Sequence, residues 1–290
     1  QCNTTGASNT ALGGNSTMFA NTTGANNVAV GLSALQSNTT ADENTAVGRG
    51  ALAANTTGTP NTAVGSLTLT ANTTGASNTA MGRQSMQANT TGSHNVAVGR
   101  CSLKANTTAN SNVAIGTESL DVNTTGADNT AVGTNALGAN TTGAQNVAIG
   151  SSSLAANTIG DQNVAIGQNS LDSNTEGQKN VAIGFKALCT NTTADQVVAV
   201  GCGALISNTT GANNVAVGSL SLEGTTTGSD NTAAGPASGL SLTTGSNNLL
   251  LGHDAGRSNS PNTVTTGSDR IVLGNNSITN AYIRVDWTVT

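Results

Sequence analysis

The side chains able to do chemistry are few and scattered. The chain has two histidines, His94 and His253, and four cysteines, Cys2, Cys101, Cys189 and Cys202. Neither histidine stands beside a Ser or Cys in a nucleophile motif, so acyl transfer of the Ser-His or Cys-His kind has no support. Paired carboxylates could cleave a glycosidic bond. Asp42 and Glu43, however, are neighbours in one turn, and Asp121, Asp128, Asp161, Asp172 and Asp195 fall in different segments. Each reads as a solvated turn residue. A Ca²⁺ site needs several oxygen ligands converging on one point, and no aspartate-rich loop is present. The cysteines have neither CxxC spacing nor the density of a disulfide scaffold. They read as small thiols, with Cys2 placed to link chains or a preceding shaft. The expectation is a non-enzymatic chain with no catalytic residue, metal site or cofactor.

One chemical pattern does recur. Asn-Thr-Thr is a sequon for N-glycosylation, and the register of its Asn runs through Asn21, Asn38, Asn55, Asn72, Asn89, Asn106, Asn123, Asn140, Asn157, Asn174, Asn191 and Asn208, with Thr-Ile after Asn157 and Thr-Glu after Asn174. Three readings are open: glycan acceptors, a regular Thr array that orders water, or stacked turns whose Asn and Thr side chains bond along a ladder.

The spacing of these residues implies the elements that carry them. The glycines that close each Ala-Val-Gly or Ala-Ile-Gly are Gly31, Gly48, Gly65, Gly82, Gly99, Gly116, Gly133, Gly150, Gly167, Gly184, Gly201 and Gly218, continuing to Gly235 and Gly252, always 17 apart. A period of that length is the mark of a solenoid. A first copy, Asn3 with Gly13, carries one inserted residue near Asn15 to Phe19, and Thr265-Thr266-Gly267 leading to Gly274 follows a five-residue insertion between His253 and Pro261.

Asn140 to Ala156 is a representative unit. Val147-Ala148-Ile149 alternates large and small, which separates Val and Ile from Ala on opposite faces of a strand. Four residues after the Gly comes Leu154, matched by Leu35, Leu52, Leu69, Met86 and so on. Two short strands and two turns per unit make one coil of a parallel β-solenoid, whose turns use Gly and Asn for positive φ. The sequence places Val, Ile and Leu in the core. Ala148 and its equivalents are then sites of close approach, between chains or to the second wall. A helical solenoid is rejected, because Gly, Asn and Thr are poor helix formers.

Composition agrees with a thin repeated core. Of 290 residues 36 are Gly, only 1% are aromatic and 8% charged, so bulky side chains cannot fill one large interior. Net charge is −5 with basic residues scattered singly, which argues against nucleic acid. Variable charges such as Arg83, Lys104, Glu118, Lys179 and Lys186 read as solubility. The longest aliphatic run, Leu249-Leu250-Leu251, is far below the roughly 20 residues that cross a bilayer, so no membrane insertion is expected. The chain begins at Gln1, which reads as a processed or chosen boundary.

Asn-Val-Ala-Ile-Gly followed by a small residue and Leu resembles the head repeats of trimeric autotransporter adhesins, and more closely the collar and fibre repeats of phage tail fibre proteins. The resemblance runs from about Asn3 to Gly274. It implies an all-β, left-handed parallel β-roll of about 15 coils, three rolls packing side by side as a homotrimer. The family's repeat is usually shorter than 17 residues, and the turn through Asn-Thr-Thr-Gly is this chain's departure from it. The segment from Ser268 to Thr290 resembles the stretch before an endosialidase-type intramolecular chaperone, which trimerises and then cleaves itself away. Thr290 is accordingly an expected maturation end, the alternative being an arbitrary boundary.

Three regions follow: a β-roll over 1–252, an irregular insertion and last coil over 253–267, and C-terminal capping strands over 268–290. Tyr282 and Trp287, the lone Tyr and Trp, would cap the last open coil. What the resemblance implies is a tail fibre of a virion, extracellular, binding a host cell-surface glycan or protein receptor and joined to other virion tail proteins. The alternatives are a bacterial trimeric adhesin head and, third, a glycan-cleaving tailspike.

Overall fold

The computed structural model describes residues 3–257 and 264–278. Each coil places its Ala-Val-Gly or Ala-Ile-Gly segment in a strand, because β-branched residues flanking a small one suit a pleated surface. Sixteen strands result, from β1 (Thr10–Leu12) and β2 (Val28–Val30) to β15 (Leu249–Leu251) and β16 (Ile271–Leu273). They form one parallel sheet in strict sequence order. The register repeats without slip: Val147 faces Val164, Ala148 faces Ala165 and Ile149 faces Ile166. The inserted residues fall where the sequence put them, since Thr10 pairs with Val28 and Leu249 with Ile271. At about 4.8 Å per strand the sheet is roughly 70 Å long.

Two expectations are corrected. A coil contributes one strand and not two. The opposite wall is a run of turns in which Ser152 and Leu154 take positive φ, at 54° and 52°, and Gln145 does the same at 60° in the turn leading into the strand. The wall still zips coil to coil, because the Leu154 amide donates to the Ser170 carbonyl and the Ala156 amide to the Asp172 carbonyl, both at 2.9 Å.

The second correction concerns which residues are inside. Ala148 and its equivalents point inward and are fully buried against the Leu154 column. Val and Ile point outward, and Ile115, Ile149 and Ile183 remain 37–40% exposed. The reason is width: the gap between the sheet and the opposite wall holds a Leu from one side and only a methyl from the other. Where the strand turns a larger side chain inward, at Leu250, the Leu place is Gly in its own coil, Gly256, and in the coil before, Gly239; a Cβ on these would meet Leu250 Cδ2 at 3.1 Å and Leu250 Cδ1 at 2.6 Å. Of the two roles foreseen for the Ala column, approach to the second wall is the one found.

Candidate functional site

Gly31 through Gly218 occupy the bend between strand and opposite wall, with φ between 124° and 138°. Close packing adds to that restriction: a Cβ on Gly150 would lie 2.6 Å from the Gly167 carbonyl oxygen. These glycines are structural.

Asn and Thr fill the rest of the coil. Asn140 Nδ2 donates to the Asn123 Oδ1 of the preceding coil at 2.8 Å and to the Gly143 carbonyl at 2.9 Å. Asn157 repeats the pattern onto Asn140. A second column, Asn129, Asn146, Asn163, works through its oxygen: Asn146 Oδ1 accepts the Asn163 amide at 2.9 Å while Asn146 Nδ2 donates to the Gly160 carbonyl. The first Thr of each turn adds a third, Thr141 Oγ1 donating to the Thr158 carbonyl at 3.0 Å. Both Asn columns are buried. Of the three readings of Asn-Thr-Thr, this geometry is that of stacked turns bonded along a ladder.

The ladders break near one another. Val197 takes an Asn place, so Asn180 Oδ1 accepts its amide but Val197 has no side-chain oxygen for Asn214. Thr225 and then Leu242 replace the other column, leaving Asn208 Oδ1 as the buried side-chain polar atom without a partner among the described residues. Sequence reading alone missed the inward direction of these Asn residues, although their two fixed places in every coil were visible.

The carboxylates do not converge. Asp42, Asp161 and Asp195 each accept a backbone amide of the preceding coil at 2.7 Å, from Ala25, Ala144 and Gln178. Burial raises the Asp121 and Asp172 carboxyls above the ordinary value, with Glu118 adding to the first. Burial, then Asp172, raises the Cys189 thiol. Cys101, Cys189 and Cys202 are free thiols. His94 is exposed at a turn, and His253 faces Asp254 at 3.3 Å on the surface. Arg100 pairs with Glu118, and Lys186 Nζ lies 5.4 Å from the Phe185 ring centroid. Among the described residues no three His, Cys, Asp or Glu side chains gather as metal ligands, and no helix is long and apolar enough to cross a membrane. Tyr282, Trp287 and Thr290 lie outside the described residues, as does Cys2.

What remains is the outer face of the sheet. Its two columns run Val147, Val164, Val181, Val198 and Ile149, Ile166, Ile183, Val200, with Thr or Met in some coils. No charged residue occurs in any of the sixteen strands. Every described charge but one sits on the turns; Arg270, immediately before β16, is the exception. The strip therefore stays aliphatic or Thr-lined from end to end. No protein-family profile, no curated protein and no solved structure matches the chain.

Proposed function

We propose that the protein is a structural and host-attachment fibre, a rod of three left-handed rolls packed side by side, with the viral tail fibre as the setting that its sequence resemblance favours. The observation that carries this reading is the uncharged outer face of the sheet, with Ile149 and Val217 39% and 43% exposed. Two columns over sixteen strands give roughly 700 Å² of mostly apolar strip per chain, more than an isolated soluble chain commonly shows in one patch and close to one partner's share of a stable interface. Packing three such strips about an axis buries them together. It also makes a stiff rod in which any weak receptor contact is presented three times. The carboxylates support a scaffold over a glycan-cleaving enzyme, since Asp42, Asp161 and Asp195 hold backbone amides.

Light scattering on the purified chain at micromolar concentration tests the assembly. A mass of three chains is the expected result, and Ile149→Lys with Ile166→Lys converts it to one chain while circular dichroism stays that of the parent. A parent that is monomeric overturns the reading.

A further inference from the structure

Eleven of the Asn-Thr-Thr turns are complete N-glycosylation sequons, at Asn3, Asn21, Asn38, Asn55, Asn72, Asn89, Asn106, Asn123, Asn140, Asn191 and Asn208. An acceptor asparagine must offer its Nδ2 to an enzyme, lose one of its two protons and carry a bulky sugar into solvent. In this fold the Asn89 Nδ2 has no proton to give. One hydrogen donates to Asn72 Oδ1 at 2.8 Å and the other to the Gly92 carbonyl at 2.9 Å. The residue is fully buried, so a sugar on that nitrogen would occupy the place of Asn72 Oδ1. Asn106, Asn140 and Asn191 are held in the same way.

The chain contains its own control. Asn157 and Asn174 are followed two residues on by Ile159 and Glu176, so neither is a sequon. Both keep the full ladder geometry, with Nδ2 2.8 and 2.9 Å from the preceding Oδ1. Asparagine is thus retained at this place for its two donors, whether or not a sequon surrounds it. Off the ladder stands the opposite case: Asn15-Ser16-Thr17 is a sequon whose Asn15 is exposed.

Asn3, in the exposed first turn, is not enclosed in this way. We infer that the buried ladder sequons from Asn21 to Asn208 are closed to N-glycans and that this chain is made and folded where no oligosaccharyl transferase acts, in a cytosol and not in a eukaryotic secretory lumen. Transfer takes place on chains that have not yet folded, before the ladder can protect itself. One glycan on a ladder asparagine would remove a donor from its turn, orphan the neighbouring oxygen and stop coil stacking at that point. In a eukaryotic secretory lumen, ten such chances per chain would leave few molecules able to complete the sheet.

The test expresses the full chain in one eukaryotic host by two routes, cytosolic and with a secretion signal, and maps glycans on the protease-resistant and protease-sensitive fractions by mass spectrometry. The expected result is resistant protein from the cytosol in high yield. The secretory route should give a several-fold lower resistant yield, in which any glycan is at Asn3, Asn15 or Asn275, the sequons off the buried ladder, with ladder glycans confined to the sensitive fraction. Replacing the eleven sequon threonines by Ala, as in Thr91→Ala, should restore the secretory yield. The same variant made in the cytosol should melt close to the parent, because the ladder bonds run through Asn89 and Thr90 and not through the exposed Thr91 side chain. A ladder glycan on protease-resistant protein overturns the closure. Parent-level folded yield through the secretory route overturns the assignment of compartment.

Discussion

Asn123 shows how much of this fold hangs on one polar side chain. Its Nδ2 donates to Asn106 Oδ1 and to the Gly126 carbonyl, and its Oδ1 accepts from Asn140. Asn123→Ala would strand one buried acceptor, Asn106 Oδ1, and one donor hydrogen on Asn140 Nδ2, while the Gly126 carbonyl keeps its bond from Asn112 Nδ2. With each stranded group costing about 1–3 kcal/mol, the expected loss is about 2 kcal/mol or more by denaturant unfolding, far above that of the exposed Asp128→Ala. Ionisable residues in the opposite wall act through pH. The Asp172 carboxyl is raised, chiefly by burial, which outweighs its hydrogen bond with Asn169, and Asp121 is raised by burial and Glu118 against the opposing charge of Lys104. The folded chain therefore holds these protons to higher pH than the unfolded chain does, and unfolding releases them. Stability should fall as pH rises from the ordinary carboxylate value near 3.9 through the raised one, and stay lower above it. Asp172→Asn together with Asp121→Asn should flatten that slope and melt above the parent at pH 7 but not at pH 3. A double variant with the parent's slope would show that other groups dominate.

At the level of the coil, the interior is a pairing of one large and one small side chain across a fixed gap. Leu154 faces the Ala148 column in most of the rod, and the large side chain changes sides where Leu250 fills the space over Gly239 and Gly256. Gly239→Leu alone overfills the coil, at about 1–3 kcal/mol. Leu250→Ala alone leaves a cavity worth about 2–5 kcal/mol. In the double variant the new Leu occupies space that Leu250 gives up, although Gly256 still faces the truncated side chain, so its loss should be smaller than the sum of the two by at least about 1 kcal/mol, read from a double-mutant cycle. Positive φ is no obstacle to the new Leu, since Leu205 and Leu222 sit at 51° in that place. The same pairing explains what the sequence could and could not reveal. The 17-residue register, the one-residue and five-residue insertions and the bend glycines were all legible, because period and glycine survive translation into structure unchanged. The inward side of Val147-Ala148-Ile149 was not. Alternation separates the two faces but does not say which is inside, and the usual guess that larger apolar side chains go inward fails when the opposite wall has already filled the space with Leu154. The columns of Asn123 and Asn146 were placed correctly at turns, yet their burial is visible only once each Nδ2 is seen to find its acceptors.

For the whole molecule the consequence is linearity. Every strand hydrogen-bonds only to the strands before and after it, so among the described residues no strand pairing ties one end of the sheet to the other, and stability is a sum of coils and coil-to-coil contacts. Length should then be adjustable in whole coils and in nothing smaller. Deleting residues 143–159 joins Thr142 to Gly160, which returns the chain to the same place in the next coil and brings Asn174 under Asn140. That variant should fold, keep the parent's circular dichroism per residue and its resistance to protease, and show a denaturant m-value lower by roughly one coil's share of the surface. Removing one residue fewer, 143–158, leaves an extra residue at the junction. The coil must either bulge there or slip by one, and a slip turns the Ala165 face outward and drives Val164 and Ile166 into a gap that fits a methyl. It should lose protease resistance at the junction. If both deletions behave alike, the ladders and the Ala–Leu pairing are not what sets the register.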